Sequence, residues 1–198
     1  APFTDTIAYL EDGDWVVLTR KGAEIHDESG AKVERTIVKS TASAQLVDKG
    51  NHKHFMAKEI HEQPEVVGHT LAHYIDMVNE RVALPGKLPF DWTKLKRLSI
   101  SACGTAFYAG LVAKYWFERF AKLPVEIDIA SEFRYRGAPL EAGDLALFIS
   151  QSGETADTLA TLRYARENKQ HILSVVNVPT STIARESDVV MPTLAGPE

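Results

Sequence analysis

From residue 95 onward, short apolar runs alternate with longer amphipathic segments, and this alternation restricts the fold more than any other feature of the sequence. The runs predict strands at 95–102, 125–130, 144–150, 171–177 and 189–193, and the segments between them predict helices at 106–121, 155–168 and 180–186. Strands that alternate with helices imply βαβ units, because parallel neighbours are joined by crossover connections. We therefore expect an α/β fold in which helices flank a parallel five-stranded sheet.

Residues 6–47 have a different pattern, which is typical of antiparallel β structure. Short β-branched runs are separated by turns rich in Gly and Asp, such as residues 11–14, and this spacing favours hairpins. A few hairpins bury too little surface to form a stable domain alone. Since the chain also begins with Ala1 rather than Met, we expect a fragment whose first strands complete a sheet that starts upstream.

Residues 41–94 join these two regions. A polar connector at 41–51 is followed by a helical pattern, which we divide into two helices at Pro64 because proline disrupts a helix interior. The second of these helices is expected to include Val78. In the later helix at 106–121, the large apolar side chains predict the buried side, and they are Phe107, Leu111, Tyr115 and Phe120.

Charge and composition exclude several classes of protein. The chain has 22 Lys and Arg against 27 Asp and Glu, a net charge of −5, so it has no basic excess with which to bind nucleic acid. No apolar run approaches the ~20 residues that a membrane helix needs, so we expect no membrane partner. A single cysteine, Cys103, and no visible signal peptide predict a reducing, cytoplasmic location.

Two predicted strand ends have unusual chemistry. Ligands of open parallel sheets bind outside the carboxyl ends of the strands, beside helix N-termini. At such ends lie 103–105, Cys-Gly-Thr, and 150–155, Ser-Gln-Ser-Gly-Glu-Thr. Hydroxyls, a glycine and the free N–H groups of a helix start suit a phosphate group. The alternative is that Ser152 or Thr155 merely caps its helix; a single hydroxyl favours capping, whereas the whole cluster favours phosphate.

Other candidate sites are weaker. Cys103 could be a nucleophile, but a small, partly buried residue at a strand end is the simpler interpretation. His54 and His61 could share a helix face, yet no Cys or carboxylate pattern completes a metal site. The charged and aromatic cluster at 132–136 lines either a site or a solvated loop. Because the glycine motifs of nucleotide-binding loops are absent from the sequence, a nucleotide-binding α/β domain is disfavoured.

Three motifs together resemble one enzyme family. Residues 102–105, 130–136 and 150–158, in this order, closely resemble the glucosamine-6-phosphate synthases, which are isomerising glutamine–fructose-6-phosphate aminotransferases. Residues 58–64 are similar to the start of that family's isomerase half. The resemblance covers essentially the whole chain. It implies fructose 6-phosphate or glucosamine 6-phosphate as ligand, glutamine as a substrate of the parent protein, a homodimer and no cofactor.

The resemblance also implies a domain organisation. Residues 1–47 correspond to the last strands of a truncated glutaminase domain, and 48–94 to a connector with leading helices. Residues 95–198 correspond to most of the first SIS (sugar isomerase) domain, whose sheet is the parallel one predicted above. The alternative function is a non-catalytic SIS module that senses a sugar phosphate. Such a sensor more typically has a DNA-binding helix-turn-helix than the acidic β segment found here.

Finally, the resemblance implies which residues contact the sugar phosphate. The family's contacts correspond to Thr105, Ser150, Gln151, Ser152 and Thr155, and the turn is shaped by Cys103 and Gly104. One departure is Ala106, where many members have Ser. The glutaminase nucleophile and the acid–base residues of isomerisation fall outside this sequence, so we expect no catalytic residue and no metal site in it, and we expect the fragment alone to be inactive.

Overall fold

The chain separates into two compact units. A computed structural model describes residues 4, 6–39, 49–84 and 88–196. One unit comprises the described residues up to 53, and the other comprises the described residues from 54 to 196. Most of the predicted connector at 41–51 lies outside the described residues.

The first unit consists of short antiparallel strands, as predicted. They are β1 (Thr6–Ala8), β2 (Trp15–Thr19), β3 (Gly22–His26), β4 (Lys32–Val33) and β5 (Ile37–Lys39). β1 pairs with β5, and β2, β3 and β4 form a meander. The Arg35 guanidinium donates two hydrogen bonds of 2.8 Å to the Asp14 carboxylate. These bonds, together with the Glu11 N–H, hold the pKa of Asp14 below its ordinary value.

The second unit begins with helix α1 (Phe55–Tyr74), and here two predictions are wrong. Pro64 lies inside a single helix of 20 residues and does not divide it. Because Ile60 is exposed, water can hydrate the carbonyl that Pro64 leaves without an N–H donor. The helix also stops before Val78, in a hairpin of β6 (Ile75–Asp76) and β7 (Arg81–Val82). None of the described helices is both long and apolar enough to cross a membrane.

The hairpin forms because the Asp76 carboxylate binds the turn. It accepts hydrogen bonds from the Asn79 backbone N–H at 3.1 Å, the Asn79 side-chain amide at 2.8 Å and Arg81 Nε at 3.0 Å. These bonds hold the pKa of Asp76 below its ordinary value. Asp side chains that bond backbone groups two or three residues on favour turns over helix. This local competition ends α1 although the apolar spacing continues.

After a 3₁₀ helix, Trp92–Lys94, the second unit continues with the predicted parallel sheet and its helices. Its strands are β8 (Leu98–Ala102), β9 (Val125–Ile129), β10 (Leu145–Ser150), β11 (His171–Val176) and β12 (Val189–Pro192). The helices between them are α2 (Gly104–Trp116), α3 (Ala130–Phe133), α4 (Ala156–Glu167) and α5 (Thr182–Arg185). The order is β12-β11-β10-β8-β9, and every adjacent pair is parallel. The predicted fold class is therefore confirmed.

Each face of this sheet has its own apolar core. Alternate side chains of β10 point to opposite faces, so Phe148 lies in one core with Leu162 of α4 and Ile183 of α5. Leu147 lies in the other core, against which Phe117 packs at the end of α2. Burial on both faces explains why the strands are continuous apolar runs rather than alternating ones.

The predicted buried side of α2 is only partly right, because Phe107 and Leu111 are half-buried and the other two residues are not. Tyr115 and Phe120 are 63% and 72% exposed. The buried residue of α2 is Gly110, and a Cβ there would lie 2.9 Å from Ile127 Cδ1 and 3.0 Å from Ile100 Cγ2. The helix lies so close to the sheet that small residues occupy its inner side. A π-helical turn, Phe117–Ala121, then changes the periodicity after α2.

Candidate functional site

The two polar loops lie side by side at the centre of the parallel sheet. β8 and β10 are adjacent, and the register pairs Ala102 with Ile149, so 103–105 and 150–155 leave the same edge next to each other. From β8 the chain continues to β9 at one edge of the sheet, whereas from β10 it continues toward β12 at the other. The strand order therefore reverses between β8 and β10, and this switch point is where open α/β sheets bind ligands.

The 150–155 loop is curled around the hydroxyl of Ser150. Ser150 Oγ accepts a hydrogen bond of 3.1 Å from the Gly153 N–H and lies 3.2 Å from Thr155 Oγ1. Ser152 Oγ accepts a hydrogen bond of 3.2 Å from the Glu154 N–H. Gly153 has a φ of +66°, which a residue with a Cβ adopts only at a cost in free energy. Ser150 is 5% exposed, so its hydroxyl organises the loop from inside.

Two helix N-termini face this crevice without side-chain caps. Cys103 is the N-cap residue of α2 and Thr155 that of α4, and neither makes a side-chain capping bond to any described residue. The Ser152 hydroxyl bonds to an N–H that precedes α4. The first-turn N–H groups and the positive ends of both helix dipoles are thus directed at one place, where an anion is favoured.

The seven predicted binding residues differ in their accessibility. Ser150 is buried, Cys103 and Thr155 are half-buried, and the remaining residues are exposed, namely Gly104, Thr105, Gln151 and Ser152. Gly104, with a φ of +58°, makes the turn into α2. Six of the seven therefore present surface to solvent at the two adjacent loops, while Ser150 supports them. Ala106 is half-buried in the first turn of α2 and contributes a methyl group instead of a hydroxyl.

Two residues that border the loops were not identified from the sequence. Thr158 of α4 is fully buried, and its Oγ1 lies 4.0 Å from Cys103 Sγ, so it links the two loops. Ser181 packs against Gly153 so closely that a Cβ at Gly153 would lie 1.9 Å from its Oγ. Applying the strand-end rule to β11 as well would have identified the polar segment 177–181.

The segment after β11 forms hydrogen bonds with the 150–155 loop. The Asn177 N–H donates to the Gln151 carbonyl at 3.1 Å, and the Ile183 N–H donates to the Gly153 carbonyl at 3.0 Å. The Glu154 carboxylate accepts a hydrogen bond of 2.7 Å from the Thr182 N–H. The loop conformation is thus fixed at three points along its length.

The other predicted candidates form no second site among the described residues. Arg136, in the cluster at 132–136, donates to Glu126 at 2.6 Å and to Asp128. Both carboxylates raise its pKa, so this guanidinium pairs with β9. In the part of the chain that the structure describes, no three His, Cys, Asp or Glu side chains lie together as metal ligands would.

Comparisons with known proteins give a consistent result. The SIS domain family matches residues 93–198. An isomerizing glutamine–fructose-6-phosphate aminotransferase of Bradyrhizobium diazoefficiens is 72% identical over 197 residues, and one of Mesorhizobium japonicum is 65% identical over 198. Each alignment covers 100% of this chain and 32% of the relative. The solved C-terminal domain of glucosamine-fructose-6-phosphate aminotransferase from Francisella tularensis is 42% identical, with a TM-score of 0.68, over 77% of this chain and 42% of that one.

These matches confirm the resemblance inferred from the motifs. The chain spans 32% of the length of the relatives it matches, and the similarity includes the residues that precede the SIS match. The SIS match itself covers more than half of the chain. The chain therefore belongs to the SIS domain family and is similar, along its whole length, to isomerising glutamine–fructose-6-phosphate aminotransferases.

Proposed function

We propose that this chain is part of an isomerising glutamine–fructose-6-phosphate aminotransferase and that its two polar loops bind the phosphate group of fructose 6-phosphate or glucosamine 6-phosphate. The observation that carries the binding proposal is the meeting of two helix N-termini and a hydroxyl-rich loop at the switch point between β8 and β10. A phosphate dianion requires several donors and a positive potential, and this edge of the sheet offers both.

The residues divide into contact and support roles. Ser152, Thr155 and Thr105 supply hydroxyl donors, and the first turn of α4 supplies backbone N–H groups. Gly153 is buried, and its lack of a side chain allows Ser181 to pack against the loop. Ser150 keeps its hydroxyl inside the loop, where it fixes the Gly153 N–H and Thr155. We therefore assign Ser150 to organising the loop, and the exposed amide of Gln151 to contacting the sugar phosphate.

The whole-chain similarity supports the aminotransferase over a sugar-phosphate sensor. Relatives of that name align with all of this chain, including residues 1–92, which lie outside the SIS match. The proposal includes glutamine as the nitrogen donor, a homodimer and a cytoplasmic location. It also includes the assignment of 1–47 to a glutaminase domain, of 48–94 to a connector with leading helices and of 95–198 to an SIS domain.

The binding proposal is tested by thermal protection of the intact protein. We expect fructose 6-phosphate to raise its melting temperature and the double variant Ser152→Ala, Thr155→Ala to lose that increase. Loss of two hydrogen bonds to a charged group weakens binding by about 100-fold or more. Thr180→Ala is the matched control, because it removes an exposed hydroxyl from the neighbouring strand end. Unchanged protection of the double variant would contradict the site assignment.

The proposed activity is tested separately. The intact protein is expected to form glucosamine 6-phosphate from fructose 6-phosphate and glutamine, and the product is measured by chromatography. Binding of fructose 6-phosphate without product would favour the sensor function.

A further inference from the structure

The glutamate in the proposed phosphate loop presents an electrostatic problem. Glu154 lies between Gly153 and Thr155, so its negative charge would repel a dianion bound by the same loop. The structure shows where this charge is directed. Glu154 Oε1 accepts a hydrogen bond of 2.7 Å from the N–H of Thr182, which is the first residue of α5 and 28 positions away in the sequence.

This side-chain hydrogen bond adds to two backbone hydrogen bonds between the 150–155 loop and the segment after β11. The Gly153 carbonyl already accepts a bond from Ile183, and the Gln151 carbonyl one from Asn177. The α5 end receives a second interaction from its own N-cap, because Ser181 Oγ accepts a 3.4 Å bond from Ala184 N–H. The Ser181 cap thus binds the Ala184 N–H and not the Thr182 N–H, which donates to Glu154 instead.

We propose that Glu154 is a positioning residue for phosphate binding. Its carboxylate, anchored on the Thr182 N–H, holds the 150–155 loop in the conformation that directs Ser152 and Thr155 toward the ligand, and it turns its own charge away from the dianion. This role rests on the proposed function of the loop. It predicts that removing a negative charge weakens the binding of an anion, which is the opposite of the simple Coulomb expectation.

The contact can be broken from either side. Glu154→Ala removes the acceptor. Thr182→Pro removes the donor, and proline is well tolerated at the first position of a helix. Ser181, with φ −67° and ψ 163°, already has the extended conformation that a following proline requires. Glu154→Gln keeps an acceptor oxygen without the charge, and Thr182→Ala keeps the N–H while it removes the hydroxyl.

The test is the dissociation constant of the intact protein for inorganic phosphate and for fructose 6-phosphate, measured by calorimetry. We expect Glu154→Ala and Thr182→Pro each to weaken binding about tenfold, as the loss of one charge-assisted hydrogen bond does. The double variant is expected to bind no more weakly than either single one, because both remove the same bond. Thr182→Ala is expected to bind within about twofold of the wild type, and Glu154→Gln, whose neutral bond is about half as strong, within about threefold.

Three results would overturn this role: tighter or unchanged binding by Glu154→Ala, additive losses in the double variant, or equal losses for Glu154→Gln and Glu154→Ala. Equal losses would mean that the charge, not the hydrogen bond, matters. Glu167→Ala, which removes an exposed carboxylate from the far end of α4, controls for net charge. If the wild type binds neither probe, the proposed function fails and this inference with it; if it binds and Glu154→Ala is normal, only the positioning role fails.

Discussion

The contact between Gly153 and Ser181 leads to a quantitative prediction for Gly153→Ala. The new methyl group would meet Ser181 Oγ at 1.9 Å and Ser181 Cβ at 2.5 Å, in a backbone with a φ of +66°. The left-handed conformation costs an alanine about 1–2 kcal/mol. Relieving the overlap in a packed region costs about 1–3 kcal/mol more. We therefore expect a loss of roughly 2–5 kcal/mol in the free energy of unfolding, with weaker binding of fructose 6-phosphate.

Gly143→Ala separates the two contributions to this loss. Gly143 has a φ of +86°, and no atom of the described residues lies within 4 Å of the position that a Cβ would take, so its variant carries the strain without the overlap. Melting is followed by tryptophan fluorescence, and a loss of 1 kcal/mol lowers the midpoint by about 2–4 °C in a chain of this size. The shift for Gly153→Ala should be about 1.5 to 4 times that for Gly143→Ala. In a Ser181→Gly background, which removes both overlapping atoms, the extra shift should disappear.

Equal shifts for Gly153→Ala and Gly143→Ala would refute the reasoning. They would mean that the loop and the segment around Ser181 do not pack as closely as the distances require. An extra shift that persists in the Ser181→Gly background would refute it as well, because the overlap would then have another source.

Two further predictions concern stability and not ligand binding. Ser174 is fully buried, and its hydroxyl has no hydrogen-bond partner among the described residues, so Ser174→Ala should be neutral or stabilising by up to about 1 kcal/mol in thermal melts. Ser181→Ala removes the hydroxyl bonded to the Ala184 N–H and should cost about 1 kcal/mol. Equal losses of stability in the two variants would contradict this contrast. The pKa of Asp14 in the folded chain is lowered from 3.8, chiefly by hydrogen bonding to Arg35. The stability that the ionised Asp14 carboxylate confers is therefore complete above pH 3.8 and is lost as the pH falls through the lowered pKa. Circular dichroism should show the antiparallel unit losing stability below about pH 4. An acid-unfolding profile of Asp14→Asn that matches the wild type would contradict this cause.

Much of the fold could be predicted because burial on both faces leaves a simple pattern in the sequence. Strands such as Leu145–Ser150 are uninterrupted apolar runs, since helices cover both sides. The side of α2 that packs on the sheet was predicted only in part, for a physical reason. Large side chains such as Tyr115 were expected to be buried, but the close approach at Gly110 selects small residues. Pro64 was also misread, because an exposed helix tolerates the loss of one backbone hydrogen bond.

The positions of the two candidate loops could be predicted from the sequence, but not their arrangement. The rule that ligands bind at strand ends placed 103–105 and 150–155 correctly at carboxyl ends. Nothing in the sequence indicates that β8 and β10 are neighbours, and it is this pairing that makes one site of two loops. The inward hydroxyl of Ser150 and the bond from Thr182 to Glu154 depend on long-range packing. A local pattern contains no information about such contacts.

The most direct test of the central claim is a crystal structure of the intact protein with fructose 6-phosphate bound. We predict that the phosphorus lies at the carboxyl ends of β8 and β10, with phosphate oxygens about 3 Å from the hydroxyls of Ser152 and Thr155 and from a first-turn N–H of α4. A phosphate bound elsewhere on the sheet, with these hydroxyls directed away from it, would contradict the account.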